Sequence, residues 1–258
     1  MANALIEDPR ITLYRQKLAV LLRRTSCRWI SFAVGTAPIH RTFFENVAVA
    51  LEGLPTTRLE SSSHRQVQYG VRMRIAAEDG DRAAYDADGD LLVVPAEDAF
   101  DTLDGQATLV SACVHLGLDL EGRNRRPLDG ECAARIACHL YRLYETVTLD
   151  ESEHELTHKL QQLMPTTSAD KPFFDVAVDI VRHCCATLRA NRRSYPVRPG
   201  SFMKIVRTDR CERLRDLLLA GAARHDRAAR KRARGMPALP RASRYLALQA
   251  LQPPPLEM

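Results

Sequence analysis

The sequence has no C-x-x-C pair, no glycine-rich phosphate loop and no G-x-S-x-G elbow. The first absence argues against a zinc ribbon and against a thioredoxin-type redox pair. The second argues against a phosphate-cradling nucleotide site. The third leaves Ser111 without the setting of a nucleophilic serine. No apolar run approaches the roughly 20 residues of a membrane span, so no membrane partner is expected. The start of the chain, Met1 to Asp8, carries Glu7 and Asp8 and lacks the charged-then-apolar order of a secretory signal. The expected location is cytoplasmic, or outside the cell by a route that leaves no N-terminal signal. Lysine is scarce, at five of the 37 basic residues.

Seven cysteines are present: Cys27, Cys113, Cys132, Cys138, Cys184, Cys185 and Cys211. Their number is odd and their spacing irregular, and several sit beside apolar residues. They read as reduced thiols acting as small core hydrophobes. The 258 residues suffice for one large domain or two small ones, and 45% hydrophobic content is ordinary for a globular chain. The formal charge of +5 is uneven, with Arg224, Arg227, Arg230, Lys231, Arg232, Arg234, Arg241 and Arg244 crowded near the end. That segment reads as a solvated basic tail, or else as a contact for nucleic acid or another polyanion.

Apolar spacing predicts helices over 12–24 and 41–52, the latter through Phe43, Phe44, Val47 and Leu51 and ended by Gly53 and Pro55. Val67, Tyr69, Val71, Met73 and Ile75 alternate with polar residues or glycine, which predicts a half-buried strand. Asp86-Ala87-Asp88-Gly89-Asp90 is turn chemistry, followed by the short apolar strand Leu91-Leu92-Val93-Val94. Helices are then expected over 104–118, 129–146, 152–164, 172–189 and 208–223. The order predicts an α+β fold with a small antiparallel sheet packed on a mainly helical domain. Three regions are expected: an N-terminal helical region, 1–66; a core, 67–223; and a basic, proline-containing, partly disordered tail, 224–258.

Residues 154–158 read His-Glu-Leu-Thr-His, a complete H-E-x-x-H. On a helix, two histidines four apart can ligate zinc while the glutamate serves as general base on the bound water. The surroundings argue otherwise. Leu156, Leu160, Leu163 and Met164 form the one apolar stripe, and His154 and His158 fall on the opposite side. The pair is expected on a solvated face.

The stretch 108–118 is the reverse case. It reads Thr-Leu-Val-Ser-Ala-Cys-Val-His-Leu-Gly-Leu, apolar on nearly every side and therefore expected to be buried. It keeps one histidine, His115. Asp119 follows, and after a polar break comes a helix opening Leu128-Asp129-Gly130-Glu131-Cys132-Ala133-Ala134.

From Asp90 to Tyr144 the chain resembles a bacterial zincin-like metallopeptidase domain. In that family a strand leads to an H-E-x-T-H helix that begins Thr-Leu-Val or similar, then to an Asp, then to a helix starting with Glu and alanines. Thr108-Leu109-Val110 matches the lead-in, His115 the second zinc histidine, Asp119 the aspartate, and Glu131 with Ala133 and Ala134 the glutamate helix. Ser111 stands in place of the first histidine and Ala112 in place of the general base. The resemblance thus implies a zincin-like fold with a vestigial site at Ser111, Ala112, His115 and Glu131. It implies a pseudoenzyme without zinc, serving as a scaffold or binding a protein partner. Cys113 could replace a ligand only if it did not point away from His115 around the helix.

Two alternatives stand beside this reading. One is an active zinc hydrolase using His154, His158 and Glu155 as base, with Glu131 or Asp150 as third ligand. The other is polyanion binding through Arg224–Arg244. His139 reads as a hydrogen-bonded core or boundary residue, and Trp29 and Phe32 as core. In His183-Cys184-Cys185, adjacent residues on a helix do not converge on one ion.

Overall fold

The computed structural model describes residues 9–35, 37–53, 56–59, 66–69, 71–76, 83–95, 97–122, 127–148, 151–191 and 204–205. The fold is α+β: helices predominate, with small sheets of two and three strands.

Helix α1 (Pro9–Leu22) opens on a proline, whose fixed φ suits a first turn that has no partner for its N–H. It buries Tyr14, Leu18, Leu21 and Leu22. The short α2 (Thr25–Trp29) leads into β1 (Phe32–Val34), which is buried along its whole length. A turn at Gly35, with φ +58, returns the chain as β2 (Ala37–Ile39), antiparallel to β1. Helix α3 (Arg41–Glu52) then packs on α1 through Phe43, Phe44, Val47 and Leu51.

The alternating stretch expected as one strand forms two. Strand β3 (Thr56–Leu59) pairs antiparallel with β4 (Gln66–Tyr69), and β5 (Arg72–Ile75) joins a different sheet. That second sheet is mixed, where an antiparallel one was expected. Strand β6 (Ala84–Asp86) runs antiparallel to β7 (Leu91–Val94), while β5 runs parallel to it. The turn between β6 and β7 holds Asp90 at φ 46, a conformation that aspartate tolerates better than most residues.

A 3-10 turn at Glu97–Phe100 precedes α4 (Leu103–Leu120), and α5 (Pro127–Thr146), α6 (Glu153–Gln162) and α7 (Lys171–Asn191) follow. Helix α4 is the centre of the fold. It buries Leu109, Val110, Ala112, Cys113, Val114, Leu116 and Leu118, and it packs on α3 and α5. Its approach to α3 depends on Gly117, where a Cβ would stand 2.3 Å from Phe43 Cζ. The last described strand, β8 (Lys204–Ile205), lies parallel to β1 and completes the order β2-β1-β8.

The buried Arg15 of α1 donates to the carbonyls of Val71, at 2.6 Å, and Leu51, at 3.4 Å. It therefore binds α1 to the end of α3 and to the entry of β5. Residues 1–215 cluster as one compact unit and 216–258 as a second. The boundary expected at 66–67 falls inside the first unit. The second unit, the Arg224–Arg244 segment and the helix expected at 208–223 lie outside the described residues. Among the described residues no helix is long and apolar enough to cross a membrane. Cys27, Cys113, Cys132, Cys138, Cys184 and Cys185 are all free thiols, and all but the half-buried Cys138 are buried.

Candidate functional site

The N-terminus of α4 is fixed by Thr102, whose hydroxyl accepts from the Gly105 N–H at 3.1 Å. Beyond it, the largely apolar helix carries a polar stripe: Asp104, Thr108, Ser111 and His115. Those spacings of four, three and four keep the side chains on one face. Helix α5 carries a matching stripe, Glu131, Arg135, Cys138 and Arg142. Two polar contacts join the stripes. His115 Nε2 lies 3.4 Å from Glu131 Oε2, and Arg142 Nε lies 2.9 Å from Asp104 Oδ1. The helices are therefore antiparallel, with the stripes face to face. In the register set by these pairs, Ser111 lies at the level of Arg135 and Thr108 at the level of Cys138. Asp104 is exposed, and the other seven residues are half-buried.

The seam extends to the start of α7. Arg135 donates through Nε to Glu131 Oε1 at 2.6 Å and through Nη1 to Asp170 Oδ1 at 3.1 Å. Asp170 also accepts from the Thr167 hydroxyl at 2.8 Å. The guanidinium sits 5.2 Å from the centre of the Phe173 ring, within cation–π range. Glu131 thus receives donors on both oxygens. The hydrogen bond from His115 lowers its pKa most, burial works in the opposite direction, and Arg135 adds to the lowering. The result is a carboxylate at about 2, ionised at any physiological pH.

The other positions singled out on α4 flank this cluster. Ser111 is half-buried, and Ala112 is buried with no group to exchange a proton. Cys113 is fully buried and its thiol is pushed well up by desolvation. Asp119 accepts from the Tyr85 hydroxyl at 2.7 Å, a bond from β6 to the end of α4. Burial and that carboxylate both drive the Tyr85 phenol upward.

The intact H-E-x-x-H motif has a different setting. His154, Glu155 and His158 are all exposed, and the buried side of α6 is Leu156 and Leu160. Glu155 accepts from the Ser152 N–H at 2.9 Å and from the Ser152 hydroxyl at 2.6 Å, and Ser152 Oγ in turn accepts from the Glu155 N–H. This is a capping box. The glutamate of the motif is therefore the cap of its own helix. Asp150 lies outside the described residues, and Glu131 pairs with His115 and Arg135 instead. Among the described residues no group of three or more His, Cys, Asp and Glu side chains is arranged to hold a metal ion.

Several other residues singled out from the sequence are core. His139 is buried, with its ring edge-on to Phe174 at 5.6 Å, and burial lowers its pKa to about 4. Phe32 is fully buried, and Trp29 is half-buried and stacks edge-on against Tyr144. His183 is exposed while Cys184 and Cys185 are buried.

Sequence reasoning brought out His115 and Glu131 but missed Arg135 and Asp170. Arg135 had a signal, its place four residues after Glu131 on a predicted helix. Asp170 had none, since it comes from a distant turn. No known family, curated protein or solved structure matches the chain.

Proposed function

We propose that the chain is a zincin-like domain that has lost its catalytic zinc and its peptidase activity, and that it serves as a scaffold binding a protein partner. The observation that carries this reading is the 3.4 Å pair of His115 and Glu131 on neighbouring helices, with Ser111 and Ala112 at the other two positions of the motif. The chain order supports it: strand β7, helix α4, Asp119, then the glutamate helix α5.

The residues do not fit a catalytic zinc ion. Such a site takes three protein ligands. His115 and Glu131 supply two, and a serine hydroxyl is a poor third. The Glu131 carboxylate is also already bonded to a guanidinium at 2.6 Å. A divalent ion beside Arg135 would meet like charge. Ala112 cannot accept a proton from water.

Metal analysis of protein purified without chelators tests the reading. The expected zinc content is well below one equivalent, and His154→Ala leaves it unchanged. One tightly held equivalent of zinc would overturn it.

A further inference from the structure

Resting on that reading, we infer that Arg135 is the resident cation at the His115 end of the α4–α5 seam: its guanidinium neutralises Glu131 and Asp170 and keeps divalent metal ions out.

The seam carries three carboxylates, from Asp104, Glu131 and Asp170, and two of them converge on Arg135. Half-buried carboxylates drawn together need a nearby positive charge, because each one otherwise disfavours ionisation of the next. A metal ion could supply that charge, and a guanidinium supplies it without a metal. Arg135 is suited to the part. Its planar fork bonds Glu131 through Nε and Asp170 through Nη1, and its face lies over Phe173, which fixes its position. It also stands at the level of Ser111, one helical turn from His115 on α4. A donor placed at 111 would therefore stand across from a residue whose guanidinium already holds the Glu131 carboxylate.

Two separate changes would then be needed to admit zinc: a ligand at 111 and removal of the charge at 135. The test is a zinc titration, by competition with a chromogenic chelator, of the full chain and of S111H, S111H/R135Q and S111H/R135K. Circular dichroism checks that each retains its helices. Where histidine at 111 disturbs α4, S111C/R135Q offers a smaller thiolate donor for the same comparison.

The expected result is one equivalent of zinc bound by S111H/R135Q about tenfold or more tightly than by S111H, given the repulsion between an ion and a nearby unit charge. S111H/R135K, which keeps the charge but loses the fork, should stay with S111H. Bound zinc should also raise the melting temperature of S111H/R135Q alone. Equal affinity of S111H and S111H/R135Q would overturn the inference, as would R135K behaving like R135Q or no zinc binding by either R135Q variant. Tightly held zinc in the unaltered chain would instead sink the reading on which the inference rests.

Discussion

Glu131 and His139 stand at opposite ends of the same problem, a titratable group inside a helical core. Glu131 has hydrogen-bonding partners in His115 and Arg135, and its folded-state pKa falls from 4.5 to about 2. A depressed carboxylate contributes stability that is present above its unfolded value and lost as pH falls through its folded value. The window is therefore about pH 4.5 to 2. The side chain is 37% exposed, so solvent screens its partners, and the contribution is on the order of 1 kcal/mol. In His139 burial, aided by the nearby Arg142 charge, outweighs the pull of Asp170 and lowers the ring from 6.5 to about 4. The folded state prefers the neutral ring, so this stability is present above pH 6.5 and lost as pH falls toward 4. Urea unfolding of the wild type, Glu131→Gln and His139→Gln across pH 7 to 2 should separate them. Each variant should flatten only its own window. Flattening by Glu131→Gln in the upper window would contradict the assignment.

The same scale explains what the site yielded to sequence reading. His115 and Glu131 could be named because each carries chemistry and each has a local helical context. Their partner Arg135 carried only its spacing of four from Glu131, because nothing in a linear pattern states that α4 and α5 run antiparallel in the register that aligns it with Ser111. The motif at 154–158 illustrates the converse. A serine followed three residues later by a glutamate is also the sequence mark of a capping box, and Ser152 with Glu155 fulfils that reading. Ser152→Ala should lower stability by about 1 kcal/mol with no change in metal content. Thermal melting with parallel metal analysis would check both halves.

At the scale of elements, the position of α4 depends on a single hydrogen atom at residue 117. Alanine there would bring a methyl group to 2.3 Å from Phe43 Cζ and 2.7 Å from Val47 Cγ2. Both neighbours are fully buried and have no room to turn away. Overpacking of this kind costs about 1–3 kcal/mol, while alanine regains roughly 1 kcal/mol of helix propensity. Gly117→Ala should therefore destabilise by up to about 2 kcal/mol in urea unfolding, and an unchanged midpoint would show that α3 yields. Helices were legible for the reason that makes them pack: an apolar face repeats locally, as in Arg41–Glu52. Strand pairing is not local. The alternation from Val67 to Ile75 is genuine, yet its two halves pair with β3 and with β7 in different sheets. Strand β1 was missed because it is buried on both faces and shows no alternation at all.

At the scale of the whole molecule, charge divides as the chain does. Eight basic and three acidic residues follow Arg215, so the entire formal excess of five positive charges lies in residues 216–258, and residues 1–215 are formally neutral. A chain ending at Arg215 should lose retention on a cation exchanger at pH 7, and any salt-sensitive binding to a polyanion should go with it. The same series of truncations tests the fold. Residues 1–215 keep β8, which lies beside the buried strand β1 although about 170 residues separate them along the chain. A chain ending at Asn191 removes that neighbour and leaves the backbone groups on one side of a buried strand without partners, at a cost of about 1–3 kcal/mol for each group. The 1–215 chain should melt cooperatively, and the 1–191 chain should melt lower and over a broader range. Equal melting of the two would mean that β8 contributes nothing to the first sheet. Retention of polyanion binding by the 1–215 chain would place that binding away from the arginine-rich segment.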